Sequence, residues 1–132
     1  MRPSLAFAAL LIAAPAIADI PPIPDAGPTT LAVAGLDFTI QPVTVRYPPG
    51  YSKTFQTAVL TGCAEHHPNC RLAQAKNLIG MEVDSLNGEA LNPRPGRLAM
   101  IREAFQHATG DVTIAFFRRG GGEKLTVAFA RR

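Results

Sequence analysis

Between its two cysteines the chain reads Cys63-Ala64-Glu65-His66-His67-Pro68-Asn69-Cys70. Two thiols bracket two imidazoles in one short loop, and two chemistries fit that spacing. Soft and borderline ligands this close could hold zinc or copper, with Pro68 supplying the bend that adjacent histidines need to reach one ion. Alternatively the thiols oxidise and staple the loop, leaving His66 and His67 as solvent-facing residues. A free or intermolecular thiol is a third state. The choice turns on the redox compartment. Other motifs are poor in chemistry. Asp84-Ser85-Leu86 lacks the glycine of an aspartic-protease turn, and no Gly-x-Ser-x-Gly or phosphate loop occurs. His107 ends a candidate helix, where a cation suits the dipole. No nucleophile is accompanied by a base and an orienting group. The expectation is a protein that is not an enzyme and uses no cofactor or metal.

The N-terminus addresses the compartment. Arg2 precedes an unbroken apolar run, Leu5 to Ala14, and Ala16-Ile17-Ala18 offers a small-x-small cleavage site. This is the pattern of a secretory signal peptide over 1–18, cut after Ala18. The run is shorter than the roughly 20 apolar residues a transmembrane helix needs, and no later stretch is longer, so no transmembrane segment is expected in the mature chain. Export to the periplasm or medium favours the disulfide between Cys63 and Cys70.

Size and charge narrow the classes further. A chain of 132 residues is one domain, too small for a two-domain enzyme. The net charge of +3 is too weak to argue for nucleic acid. With 7% aromatic residues and no Trp, a large aromatic platform is not expected.

The elements that position these residues are mostly strands. Residues 19–30 carry Pro21, Pro22, Pro24 and Pro28 and read as an extended leader or tether. A domain over 31–132 follows. Leu31 to Ile40 is a β-like run interrupted by Gly35. Val43 to Tyr47 and Phe55 to Leu60 read as strands about a Pro48-Pro49-Gly50 turn. Arg71 to Asn77 is a short helical candidate. Asn87-Gly88 signals a tight turn. Gly96 to Ala108 is the convincing helix, with Leu98, Ile101, Ala104 or Phe105 and Ala108 on one apolar face and Gly110 as its stop. Val112 to Phe117 and Leu125 to Phe129 form a hairpin about Gly120-Gly121-Gly122.

Three pieces in this order carry a family likeness. Leu78 to Leu91, with Val83, Asn87-Gly88 and Leu91, is similar to the "G-D-x-I-x-x-V-N-G-x-x-L" stretch of PDZ domains. The helix 98–108 and the final Val112–Arg119 strand follow at the family's spacing. Met81-Glu82 stands where the family has Asp after its glycine. The resemblance implies an α+β fold, a five- to six-stranded, partly open antiparallel barrel or sandwich capped by two helices. It also implies a protein or peptide partner in the cell envelope, bound by strand addition beside the helix. The edge strand for that role is Phe38 to Val43. Gly35-Leu36-Asp37-Phe38 resembles the family's carboxylate-binding "G-L-G-F" loop, with Gly50-Tyr51-Ser52-Lys53 as the alternative loop. The implied peptide-binding set is Gly35, Leu36, Asp37, Phe38, Ile40, Leu98, Arg102 and Phe105. Leu98 implies an apolar preference, and Arg102 an attraction for acidic peptides. Two competing readings remain open: a periplasmic metal-binding protein using Cys63, His66, His67 and Cys70, and a structural scaffold with a blocked groove.

Overall fold

The computed structural model describes residues 19–20, 27–91 and 96–132. The proposed signal segment lies outside them. The chain divides into two compact units, whose described parts are 19–20 with 42–56 and 27–41 with 57–91 and 96–132. Strands β1 (Asp19–Ile20), β2 (Thr30–Val33), β3 (Leu36–Tyr47) and β4 (Tyr51–Cys63) come first. Helix α1 (Pro68–Ala75), strands β5 (Glu82–Leu86) and β6 (Glu89–Ala90), helix α2 (Arg97–His107) and strands β7 (Val112–Arg118) and β8 (Glu123–Phe129) follow. The sheet path is β2-β3-β4-β5-β7-β8, with β6 on β5 and β1 on β4. Apart from the parallel β1–β4 pair, the strand pairs are antiparallel. The architecture is α+β, with an open, mostly antiparallel sheet and two helices among the described residues. No described helix is long and apolar enough to cross a membrane.

In the larger unit the sequence pattern sets the packing. Along β7, Val112, Ile114 and Phe116 are buried while Thr113 and Ala115 alternate outward, as the two-residue period of a strand requires. Val127 and Phe129 of β8 meet them, and Phe116 and Phe129 pack edge to face at 6.1 Å. Leu98, Ile101 and Phe105 recur at helical spacing on α2 and enter the same core. Burying each side chain of this size contributes about 1.5–3 kcal/mol. Glu82, nearly buried on β5, is gripped by two guanidinium nitrogens of Arg119, Nη2 at 2.8 Å and Nε at 3.0 Å. This pair ties the start of the last hairpin turn to β5.

Several boundaries differ from the sequence expectation. The run Leu31–Ile40 is two strands, because Ala34 and Gly35 both take positive φ (51° and 78°) and reverse the chain. The helix expected at Arg71–Asn77 begins earlier, at Pro68. Proline at a first helical position loses nothing, since its missing N–H has no partner there in any case. The expected Asn87-Gly88 turn is present, with φ of 48° and 86° between paired Leu86 and Glu89. Of the leader expected as a tether, Asp19–Ile20 instead pair with Ser52–Lys53.

In the smaller unit, β3 and β4 continue as a two-stranded ribbon about Pro48-Pro49-Gly50. Tyr47 and Tyr51 stack at 5.2 Å across its end, and the Thr44 and Thr54 hydroxyls meet at 2.9 Å. Lys53 lies 4.9 Å from the centre of the Phe55 ring.

Candidate functional site

The segment expected to hold a carboxylate begins in a two-residue hairpin turn, Ala34-Gly35, and runs on as strand β3. Val33 pairs with Leu36, Leu31 with Phe38 and Thr30 with Thr39. Beyond them Ile40 donates its N–H to Thr29 O at 2.9 Å. The free edge expected at Phe38–Val43 is therefore corrected over its first residues: β2 already occupies the outer side of β3. The physical reason is the turn at Ala34-Gly35, which folds the preceding residues back at the closest possible register.

β2 also approaches α2, and Leu31 and Val33 pack on the core between them. The space between β3 and α2, where the resemblance implies a ligand strand, thus contains the chain's own residues. The expected set is dispersed accordingly. Leu36, Phe38, Leu98 and Phe105 lie in the core, and Ile40 packs against it. Arg102 is half-buried on α2. Asp37 is exposed, with its carboxylate beside Gly62 of β4 instead of over the turn.

The turn is also filled from the other side. A Cβ built on Gly35 would stand 2.3 Å from His67 Cγ, so the imidazole rests on the glycine backbone. The same ring starts α1: His67 Nδ1 accepts the Asn69 N–H at 3.0 Å, in the manner of an N-cap. Gly35 O accepts from Ala64 N at 2.8 Å. A loop that binds carboxylates must leave consecutive N–H groups open to the anion. Here an imidazole rests on Gly35, which stands in the Ala34-Gly35 turn, and Leu36–Phe38 already belong to β3.

Asn69, which carries no motif in the sequence, completes the site. It is 2% exposed and uses both the nitrogen and the oxygen of its amide. Nδ2 donates to Ala34 O (2.9 Å) and to Ala130 O (2.7 Å), while Oδ1 accepts from Ala130 N (3.0 Å). One buried side chain thereby joins the β2–β3 turn to the end of β8. The local signal is weak, because His is not among the preferred cap residues and the amide's partners are remote in sequence.

Cys63 and Cys70 form a disulfide with their Cα atoms 5.2 Å apart. It links the end of β4 to the first turn of α1 and so holds His67 and Asn69 in place. With both sulfurs bonded to each other, neither is a thiolate that could act as a ligand. His66 is exposed on the loop. Among the described residues no group of three or more His, Cys, Asp or Glu is arranged to hold a metal ion. Replacing both cysteines with Ser is expected to cost about 2–3 kcal/mol in urea unfolding, the range for closing so short a loop. Thiol titration of the unfolded, unreduced protein should find no free thiol.

Comparison with protein-family models, with curated proteins and with solved structures found no match to this chain.

Proposed function

We propose that this chain is an exported, PDZ-like interaction module whose groove is filled by its own strand β2. It serves as an assembly or scaffold piece of the cell envelope, working by binding and without catalysis. The observation that carries this reading is the position of β2, hydrogen-bonded to β3 and packed against α2. That is the place of a ligand strand in strand-addition recognition. The PDZ likeness itself rests on the Leu78–Leu91 stretch, the following helix and the closing hairpin. The export reading rests on the N-terminal apolar run.

The test is a titration of the purified protein with fluorescent peptides bearing apolar C-termini, together with amide exchange of β2. The expected result is no saturable binding, with slow exchange at Leu31 and Val33, whose N–H groups face β3. Loosening β2 with the paired change Leu31→Asp and Val33→Asp should raise affinity for a peptide of the Thr29–Val33 sequence at least tenfold. Saturable peptide binding by the unaltered chain with β2 still protected would overturn the filled groove and favour an open receptor.

A further inference from the structure

The larger unit's sheet ends on two strands, and α2 packs against one of them, β2. The direction of the backbone groups along the other, β8, follows from fixed points at the ends of the hairpin. Thr113 exchanges both backbone groups with Asn87: its N–H donates to Oδ1 at 2.9 Å and its C=O accepts from Asn87 N at 2.7 Å. Its groups therefore face β5. Groups of successive strand residues alternate in direction. Val112, Ile114, Phe116 and Arg118 accordingly face β8, and their register partners Phe129, Val127, Leu125 and Glu123 face back. The N–H and C=O of Lys124, Thr126, Ala128 and Ala130 are left pointing outward. Ala130 agrees independently, since both of its groups go to the Asn69 amide. Among the described residues nothing takes the outward groups of Lys124, Thr126 and Ala128, and all three side chains are exposed.

Such a row of unpaired groups is a template for another strand. We infer that β8 pairs antiparallel with β8 of a second copy about a two-fold axis at Thr126, joining two sheets into one. The strand is self-complementary in that register and poorly so in others. Thr126 faces Thr126 of the second copy, a favourable cross-strand pair, and Lys124 faces Ala128, so no ammonium faces another. On the inner side Leu125 faces Val127, and the half-buried Leu125 gains apolar cover. Moving the axis toward Ala130 calls on groups that Asn69 already holds. Moving it to Lys124 sets two lysines opposite each other and crowds ammoniums that each lie 3.5 Å from Asp84 of their own chain, and an axis at Leu125 loses one residue from the ladder at each end. Asn69 thus has a second consequence: it caps the edge at Ala130 and fixes where the ladder stops. The contact is isologous, so it closes at two copies and does not propagate.

The added area is small, so the dimer is expected to form with a Kd on the order of 10 µM. Sedimentation equilibrium of the purified protein from about 1 µM to about 1 mM should show the mean mass rising toward twice that of one chain. Thr126→Pro removes the central outward N–H and puts a ring in the path of the incoming strand. It leaves the β7–β8 ladder untouched, because proline is tolerated where an edge N–H faces solvent. Thr126→Lys places like charges on the axis and changes only an exposed side chain. Each should weaken association at least tenfold with unchanged circular dichroism, and about 0.5 M salt should restore part of the loss in the Lys variant alone. If Thr126→Pro disturbs the fold, Thr126→Lys decides. A monomer at every concentration, or a dimer that Thr126→Lys leaves intact, would overturn the inference. So would an unrelated extended peptide that saturates the β8 edge of a protein that never dimerises.

Discussion

Asn69→Ala should lower stability by about 3–5 kcal/mol. Three hydrogen bonds disappear together, and they end on backbone groups of two chain segments that are remote in sequence: Ala34 O, Ala130 O and Ala130 N. A hydrogen bond is worth only about 1 kcal/mol net when water can replace the lost partner. The site is 2% exposed at Asn69, so replacement there leaves a void beside unpaired carbonyls instead of a hydrated surface. Asn69→Asp separates shape from chemistry. The carboxylate keeps an acceptor for Ala130 N but turns the Nδ2 donor into an oxygen facing two carbonyl oxygens. It should be at least as destabilising as alanine at neutral pH, although it is nearly isosteric. Urea unfolding of both variants measures the costs, and a loss under about 1 kcal/mol for either would remove Asn69 as the link between the turn and β8. Because Asn69 also caps the β8 edge, the alanine variant frees the groups of Ala130 for strand pairing. Its self-association should strengthen or shift register while its stability falls. No variant that merely softened the fold would move the two quantities in opposite directions.

What was legible in the sequence divides along the range of the interactions. The helix over Arg97–His107 announces itself because Leu98, Ile101 and Phe105 repeat at the helical period and face one core. The Asn87-Gly88 turn and the final hairpin are equally local: the residue types that tolerate positive φ stand where the chain reverses. The cysteines are close enough in sequence that an oxidising compartment suffices to argue for a bridge. The β2–β3 hairpin is hidden because its first turn residue is Ala34. Alanine at φ 51° is not the Asn or Asp that marks such turns, so Leu31–Ile40 reads as one run with a glycine in it. That single concealed turn moves the supposed free edge. Residues expected in a groove, Leu36, Phe38, Leu98 and Phe105, are core once β2 lies against them. Asn69 is invisible for another reason. Its amide bonds reach residues 35 and 61 positions away, and no window of sequence carries that pairing.

Gly35→Ala tests the other half of the same node, and its expected cost is about 3–4 kcal/mol. Backbone strain and steric collision both contribute. The residue sits at φ 78°, where a Cβ costs on the order of 1 kcal/mol even in open space. The collision costs more: the added methyl carbon would stand 2.3 Å from His67 Cγ and 2.7 Å from both Cβ and Cδ2, well inside any real separation. The imidazole must leave, and with it goes the acceptor that caps α1 through Asn69 N, worth about 1 kcal/mol. His67→Ala alone removes that cap and the ring's packing, for about 1–2 kcal/mol. A double-mutant cycle then isolates the collision. In Gly35→Ala combined with His67→Ala the methyl has no ring to strike, so only the φ strain remains on top of the loss of His67. The pair should cost about 2–3 kcal/mol, no more than Gly35→Ala alone and well below the sum of the two single changes. Additive losses would mean that the ring and the glycine do not touch, and that the turn owes its shape to backbone preference alone. The cycle also bears on function. If a carboxylate were bound at this turn, removing His67 would uncover the face of Gly35 and His67→Ala would gain affinity for peptide C-termini. On the filled-groove reading, His67→Ala loses stability and gains no ligand.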